Sequence, residues 1–233
     1  MTDKENTANV VWIIGRGRIR INLDGQGVRT LVAFSGCPLR CRYCLNDACH
    51  FFGDEPKPER QFQRVFQNKQ FRIEESRENI LNPKGLYEAV KKDNIYFQIS
   101  RGGITFGGGE PGLQSLFIKE FREICGDVWQ LDIETSLNYS TSHLETLLPV
   151  INKFYIDIKD MNGDIYKDYT CKSNELVYQN LQYIVDNNRV DDTIIRVPHI
   201  PNYNTPEDVK NSIKILSNMG FHNIDEFTYG ANI

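Results

Sequence analysis

Short apolar strands and amphipathic helices alternate along this chain of 233 residues. Six β-branched, apolar segments predict strands, and several segments between them repeat apolar residues at the spacing of a helix. This alternation is typical of a parallel sheet with helices packed outside it, because parallel strands need a crossover connection. The predicted strands are residues 29–35, 103–106, 129–134, 153–158, 192–197 and 225–229.

Apolar stripes and local start signals predict the helices. One stripe is formed by Leu113, Leu116, Phe117, Phe121 and Ile124, and another by Leu176, Val177, Leu181, Ile184 and Val185. An N-cap residue, a proline in the first turn or a capping box marks a helix start. Such signals stand at Asn82-Pro83, from Ser142 to Glu145, and at Thr205-Pro206 ahead of a helix closed by Gly220.

Six strands are too few for an eight-stranded barrel, and they suit an open partial barrel or a doubly wound sheet. The alternating pattern near the N-terminus predicts a hairpin over about residues 10–28. A charged stretch of about residues 50–80 is expected to be an insert or long loop. We expect a single domain over residues 1–233.

Composition narrows the function classes. Hydrophobic residues make up 40% and charged residues 25%, which is ordinary for a soluble globular protein. The net charge of −4 gives no general attraction to nucleic acid or anionic lipid. The longest apolar runs have five residues, far below the ~20 that span a bilayer, and the polar N-terminus does not suit a secretory signal. We therefore expect a cytoplasmic protein with neither nucleic acid nor a membrane as partner.

Three of the six cysteines lie within eight residues, at Cys37, Cys41 and Cys44. A disulfide framework would spread its cysteines through a secreted chain, so this cluster indicates a metal or iron–sulfur site. Three thiolates can bind three irons of a cubane and leave the fourth iron for a small molecule. The alternative is a structural zinc site, for which Cys49 or His50 would supply the fourth ligand.

Polar motifs follow the predicted strands at their carboxyl ends. Ligands and catalytic groups gather at these ends in α/β barrels and in open parallel sheets, so one site built from several strand ends is expected. The motifs are Cys37 after the first strand, residues 107–111 (GGGEP) after the second, Glu134 to Ser136, Asp157 with Lys159, and Arg196 with residues 198–201 (PHIP).

The spacing C-x3-C-x-Tyr-C, followed along the chain by a GGE segment, resembles the radical S-adenosylmethionine (SAM) superfamily. Further segments resemble one family within it, the glycyl-radical-enzyme activating enzymes, from about residue 14 to residue 229. These segments are residues 24–29 (DGQGVR), 35–37 (SGC), 45–46 (LN), 102–105 (GGIT), 157–162 (DIKDMN) and 196–201 (RVPHIP). The resemblance implies a partial (β/α)6 TIM-like barrel with parallel strands and outer helices.

The resemblance also implies roles for single residues. Cys37, Cys41 and Cys44 would ligate a [4Fe-4S] cluster whose open iron binds the amino and carboxylate groups of SAM, with Cys49 and His50 as bystanders. Tyr43 is expected near the adenine of the cofactor, with Leu45 and Asn46 also at the cofactor. Gly108, Gly109 and Glu110 are expected near the methionine amino group, and Asp157 and Lys159 near the methionine or ribose end. Arg196 is expected either to face the floor of the site or to form an ordinary ion pair.

A cation site and a substrate contact are implied in the same way. Glu134, Thr135 and Asp157 match a segment that holds a monovalent cation in the relatives, although Glu134 replaces the usual Asp. Asp24 is expected either at the peptide substrate or, as part of an Asp-Gly pair, in a turn. Relatives continue past the sixth strand and carry a histidine just after it, where this chain has Tyr229 followed by residues 230–232 (GAN).

The activity implied is that of an oxidoreductase that reductively cleaves SAM and generates a glycyl radical on a partner enzyme, under anaerobic conditions. Such a protein takes a glycyl radical enzyme as its substrate and a flavodoxin- or ferredoxin-like protein as its electron donor. Residues 50–100 contain no cysteine, so one cluster and no ferredoxin-like insert are expected. Two alternatives stay open: a radical SAM enzyme acting on a small molecule or peptide, and a non-enzymatic zinc-binding interaction module.

Overall fold

A computed structural model describes residues 6–14, 25–44, 46, 49–50 and 79–229 of the chain. Within these residues an eight-stranded sheet has the order β3-β1-β2-β4-β5-β6-β7-β8. The strands are β1 (Ala8–Ile14), β2 (Arg29–Phe34), β3 (Asn79–Leu81), β4 (Gly103–Gly108), β5 (Gln130–Thr135), β6 (Lys153–Asp157), β7 (Thr193–His199) and β8 (Ile224–Thr228). The α-helices are α1 (Pro83–Val90), α2 (Asn94–Ser100), α3 (Ser115–Cys125), α4 (Thr141–Leu147), α5 (Gly163–Thr170), α6 (Glu175–Asp186) and α7 (Pro206–Asn218).

The strands from β4 onward each pair in parallel with the strand before them in the sheet, beginning on β2. These six parallel strands confirm the six strands predicted from the sequence, with ends that differ by one or two residues. Their carboxyl ends therefore lie at the same end of the sheet. β1 and β3 add an antiparallel extension beside β2, and β8 forms the opposite edge. The architecture is the expected α/β partial barrel.

Aromatic side chains hold α3 on the sheet. Phe34 of β2 stacks on Phe106 of β4 with ring centroids 5.7 Å apart. Phe117 meets Phe34 edge-on, and Phe121 meets Phe106 in the same way. All four rings are buried, and each such burial contributes about 1.5–3 kcal/mol. Every helix in the described part of the chain is too short or too polar to cross a membrane.

The helix predicted from the apolar spacing of residues 113–124 is confirmed as α3, although not every apolar position on it is buried. Phe117 and Phe121 are buried, together with Ile118, but Leu116 is 66% exposed and Ile124 is 36% exposed. The spacing of apolar residues predicts a helix, whereas the elements packed beside the helix decide which of its apolar positions turn inward. On α6 the predicted stripe is confirmed by its buried members Val177, Leu181 and Ile184.

Two of the three predicted helix starts are confirmed. Asn82 caps α1 through its side chain, with proline in the first turn. Thr205 caps α7 in a capping box completed by Asp208. The capping box predicted at Ser142 is wrong, because α4 begins one residue earlier with Ser140 at its N-cap and no side-chain cap bond.

Two predicted segments lie largely outside the described residues: 15–24 of the expected hairpin and 51–78 of the expected insert. The part of the hairpin that is described forms β1, which runs antiparallel to β2 with Val10 opposite Phe34 and Ile14 opposite Leu31. The single-domain boundaries stay a prediction.

A buried ion pair links β2 to β5 at the amino ends of the parallel strands. The Arg29 guanidinium donates to the carbonyl oxygens of Ile104 and Gln130 and pairs with the Asp132 carboxylate. The two side chains are 2% and 1% exposed. Because both charges are removed from water, each would be costly without the other.

Candidate active site

A cavity of about 400 Å³ lies at the carboxyl ends of the parallel strands. Parallel α/β sheets bind ligands at this position. We call it the strand-end cavity. It brings together every predicted site residue within the described part of the chain except Glu110, whereas Leu45 and Asp24 lie outside that part. The predicted residues on its wall are Cys37, Cys41, Tyr43, Cys44, Asn46, Gly108, Gly109, Glu134, Thr135, Asp157, Lys159 and Arg196.

The segment from Cys37 to Cys44, which we call the cysteine loop, is fixed to the rest of the fold by backbone contacts. The amides of Arg40 and Arg42 donate to the carbonyl oxygens of Thr170 and Tyr169 at the end of α5, at 2.9 and 3.2 Å. The Arg40 guanidinium also donates to the carbonyl of Cys37 at 2.7 Å. The loop is therefore held in shape by hydrogen bonds that do not involve a metal.

Tyr43 is held in the cysteine loop by a small aromatic group. Its ring meets Tyr169 and Tyr203 edge-on, with centroids 6.2 and 5.7 Å away. Its hydroxyl accepts a hydrogen bond from the Asn202 side chain at 3.2 Å. Tyr43 therefore has two roles. Neighbouring side chains anchor one side of its ring, and the other side reaches the cavity.

The three thiols of the cysteine loop face the same cavity. Burial, together with the nearby Glu110 carboxylate, raises the pKa of Cys37. Burial also raises the pKa of Cys41, and the positive charge of Lys159 works in the opposite direction. The Cys44 sulfur accepts a hydrogen bond from the Asn46 amide at 3.3 Å. Soft thiolates on one wall, each able to bind a separate iron, fit a cubane cluster.

Cys49 and His50 occupy different positions. Cys49 is fully buried against Ala33, and its backbone joins Gly36 and Asn46 by hydrogen bonds of 2.8 Å. His50 lies on the cavity wall together with the three cysteines, although the family resemblance implies that it is a bystander. Within residues 6–14, 25–44, 46, 49–50 and 79–229, no three His, Cys, Asp or Glu side chains are placed to hold one metal ion together.

The glycine turn after β4 lets the backbone approach the cysteine loop closely. Gly108 has a φ of +96°, in the region that favours glycine. A Cβ atom on Gly109 would lie 2.4 Å from the carbonyl oxygen of Gly36 and 2.7 Å from that of Cys49. Both glycines line the cavity, so this turn presents backbone rather than side chain to a ligand.

Glu110 does not reach the cavity in the way that the sequence predicted. Its side chain is 1% exposed and accepts hydrogen bonds from the Thr135 hydroxyl at 2.6 Å and the Gly112 amide at 3.0 Å. Ser136 donates to it through both its amide and its hydroxyl, at 2.9 and 2.6 Å. Burial raises the pKa of Glu110, and these donors lower it. Glu110 therefore connects the turn after β4 to the end of β5.

Charged side chains from three neighbouring strands form the opposite wall, which we call the charged wall. Arg196 of β7 donates to Asp157 of β6 at 2.6 Å and to Glu134 of β5 at 3.0 Å. The second oxygen of Asp157 lies 3.4 Å from the Lys159 ammonium. Lys159 also donates to the Tyr229 hydroxyl at 3.1 Å.

These contacts set the charge states of the charged wall. Burial alone would raise the pKa of Asp157, but Lys159 and Arg196 lower it below its usual range. Burial opposes the charge of Arg196, and the carboxylates of Asp157 and Glu134 raise its pKa. Burial likewise opposes the charge of Lys159, while Asp157, Tyr229 and Cys41 raise its pKa. These contacts therefore favour the charged forms of Asp157, Arg196 and Lys159.

Sequence reasoning missed several residues of the cavity wall. Tyr229 stands where the resemblance implies a histidine in the relatives. The Nζ atom of Lys159 lies 5.4 Å from the centroid of the Tyr229 ring. Phe227 packs against Tyr229 and also lines the cavity. Neither belongs to a recognisable motif; only their alternation on the last strand indicated a shared face. Leu39 is a further missed residue, whereas Ser136 belongs to a strand-end motif that the sequence did indicate.

Family comparison decides what chemistry the cysteine loop carries. The family model of the 4Fe-4S single cluster domain matches residues 23–185, which include the cysteine loop and the strands from β2 to β6. The chain belongs to this family. A [4Fe-4S] cluster is therefore its cofactor, and the iron–sulfur interpretation takes precedence over zinc.

Curated relatives of this 4Fe-4S protein are activating enzymes. The (2S)-3-sulfopropanediol dehydratase activating enzyme of Klebsiella oxytoca is 29% identical over 226 residues, covering 78% of this chain and 69% of the relative. The 4-hydroxyphenylacetate decarboxylase activating enzyme of Clostridioides difficile is 27% identical, covering 87% and 76%. The pyruvate formate-lyase 2-activating enzyme of Escherichia coli is also 27% identical, covering 89% and 73%.

Solved structures share the fold at low identity. SuiB of Streptococcus suis superposes with a TM-score of 0.57 and 12% identity, covering 84% of this chain and 38% of SuiB. A structure of TYW1 with a lysine-pyruvate adduct gives a TM-score of 0.50 and 14% identity, covering 86% of this chain and 64% of the other. These similarities concern the fold alone, and they agree with the partial barrel described above.

Proposed function

We propose that this chain is a radical SAM activating enzyme, which reductively cleaves SAM and generates a glycyl radical on a partner enzyme. The observation that carries the proposal is the convergence of the cysteine loop, the glycine turn and the charged wall on one cavity. Its curated relatives are named as activating enzymes for several different partners. That pattern supports a conserved reaction with a variable protein substrate.

Cys37, Cys41 and Cys44 would hold three irons of the cluster, and the fourth would face the strand-end cavity. When reduced by an electron donor, the bound cluster supplies the electron that cleaves SAM to methionine and a 5′-deoxyadenosyl radical. The protein's task is to bind and orient the cofactor and to exclude water. The thiol protons would leave as the cluster is bound, because metal ligation requires the thiolate form.

The opposing walls of the cavity suit a zwitterionic cofactor. Lys159 and the guanidinium of Arg196 offer positive charge to a carboxylate, and the carboxylates of Glu134 and Asp157, which keep lone pairs beyond their bonds to these cations, accept from ribose hydroxyls. The backbone of the glycine turn contributes donors and acceptors without side-chain bulk. Tyr43 offers an aromatic ring for the adenine.

Asn46 lies beside Cys44 and faces the same space, so it joins these proposed cofactor contacts. Leu45 and Asp24 are proposed at the cofactor and the peptide substrate from their place in the motifs alone. Glu110 is proposed as a positioning residue, because its carboxylate holds the glycine turn against β5. Its contact with the cofactor would be indirect, through the placement of Gly108 and Gly109.

A glycyl radical enzyme is proposed as the protein substrate and a flavodoxin- or ferredoxin-like protein as the electron donor. Phe227 of the edge strand β8 lines the cavity and is 38% exposed. A loop of a large partner could reach the cavity from that edge. Location in the cytoplasm is proposed together with these partners, since both are soluble proteins of that compartment.

The experiment that tests the function measures 5′-deoxyadenosine released from SAM by the reduced, cluster-loaded protein. Release that requires a glycyl radical enzyme and leaves a glycyl radical signal on that enzyme is the expected result. Equal release with an added small molecule or short peptide, and none with glycyl radical enzymes, would favour the alternative radical SAM activity. Tightly bound zinc without iron or sulfide would indicate the interaction module.

A further inference from the structure

The charged wall already contains a cation between its two carboxylates. The Arg196 guanidinium contacts Asp157 through Nε at 2.6 Å and Glu134 through Nη1 at 3.0 Å. The second oxygen of Asp157 faces the Lys159 ammonium at 3.4 Å. Two carboxylates and two cations leave this group of four with no net charge, so its electrostatic demand for a further cation is small.

The monovalent cation expected from the family resemblance does not fit this arrangement. An alkali ion, like other hard cations, needs several oxygen ligands that point toward it. Glu134 and Asp157 direct oxygens at Arg196, and the Thr135 hydroxyl is donated to Glu110 at 2.6 Å. An added ion would also be repelled by Arg196 and Lys159 at short range. The three side chains expected to bind the ion, Glu134, Thr135 and Asp157, thus form hydrogen bonds or ion pairs with other residues of the protein.

The strand register explains why a glutamate at position 134 can reach Arg196. Arg196 lies directly opposite Asp157 on the neighbouring strand, whereas Glu134 lies one strand further away, on β5. Neighbouring strands are about 4.8 Å apart, so Arg196 must reach across β6 to meet the residue at position 134. An aspartate there would be about 1.5 Å shorter, one carbon–carbon bond, and would lose the 3.0 Å contact.

We propose that Arg196 takes the place of the monovalent cation, and that this protein binds SAM without an alkali metal ion. The guanidinium gives the charged wall the positive charge that an alkali ion would otherwise supply. The side chain of Glu134 makes this possible because it is long enough to contact Arg196 across β6. This inference rests on the proposed function only because it names SAM as the ligand of the charged wall.

The test compares potassium chloride with choline chloride at equal ionic strength, using the full chain with its cluster loaded under anaerobic conditions. The readouts are the midpoint of thermal unfolding and the calorimetric Kd for SAM. Wild type is expected to give the same values in both salts. In Arg196→Gln the two carboxylates lose their shared partner, so potassium should raise the midpoint by about 2–4 °C over choline.

Lys91→Gln is the matched control, because it also removes a cation from beside a carboxylate, the exposed Glu88. Its midpoint should be the same in both salts. If Arg196→Gln fails to fold, Glu134→Asp replaces it, since the shorter side chain reopens the space and should also respond to potassium.

Three results would overturn the proposal. One is a saturable rise of the wild-type midpoint with potassium, and another is a potassium-dependent tightening of wild-type SAM binding of about tenfold. The third is a variant response to potassium no larger than that of wild type. If SAM binds in neither salt, the proposed function fails, and the unfolding midpoints still decide the cation question.

Discussion

Lys159 is the residue through which the charged wall meets the cysteine loop. Its side chain is 9% exposed, and it touches Asp157 on one side and Tyr229 on the other. Burial raises the pKa of Cys41 and the charge of Lys159 opposes that rise, so a positive charge lies near one of the proposed cluster ligands. The orientation of this ammonium is therefore important for any anionic ligand in the cavity.

Removing the Tyr229 hydroxyl tests that orientation. Tyr229→Phe keeps the ring beneath Lys159 but loses the 3.1 Å hydrogen bond, so the ammonium is held less firmly. A net hydrogen bond contributes about 1 kcal/mol, which predicts SAM binding about fivefold weaker. The measurement is the Kd for SAM of the cluster-loaded protein. Tyr183→Phe, on α6, is the control and should bind like wild type; an unchanged Kd in Tyr229→Phe would show that the hydroxyl has no such role.

At the scale of single elements, the helix starts show which local signals a sequence encodes. Thr205 and Asp208 complete a capping box within four residues, so no distant contact is needed to form it. Ser142 and Glu145 have the same spacing, yet α4 begins at Thr141, because the fold places the N-cap at Ser140, two residues before Ser142. The exposed positions Leu116 and Ile124 on α3 reflect the same limit, since packing against other elements chose the buried face.

The cap of α7 has a measurable contribution to stability. Thr205→Ala removes a side chain that accepts from the Asp208 amide and donates to its carboxylate. We expect a loss of about 1 kcal/mol in the free energy of unfolding, measured by urea denaturation. Ser140→Ala, at an N-cap without a side-chain cap bond, is the control and should cost clearly less. Equal losses in the two variants would contradict the capping role.

At the scale of the whole molecule, the sequence predicted the parallel strands, the end at which the site lies and most of its wall. Those features follow from the alternation of strands and helices along the chain, and from the tendency of ligands to bind at the carboxyl ends of parallel strands. The inward turn of Glu110 was not predictable, because it depends on donors from Ser136 and Thr135, far along the chain. Tyr229 was not predictable as a wall residue either, since its partner Lys159 is 70 residues away.

The buried pair of Arg29 and Asp132 joins the first and third parallel strands of the barrel. Arg29→Met leaves a carboxylate buried without its counter-charge, which should cost about 3–5 kcal/mol in the free energy of unfolding. The double change Arg29→Met with Asp132→Leu removes both charges and should cost less than Arg29→Met alone. Urea denaturation of both variants and wild type measures this coupling; additive losses would contradict it.

The central claim is that Cys37, Cys41 and Cys44 hold a cluster with one iron open to the strand-end cavity. Its most direct measurement is the electron paramagnetic resonance spectrum of the reduced protein before and after SAM is added, in wild type and in Cys49→Ser. The account predicts a full [4Fe-4S] cluster in both proteins and a spectrum that changes with SAM in both. Loss of the metal in Cys49→Ser, with tightly bound zinc in the wild-type protein, would contradict it.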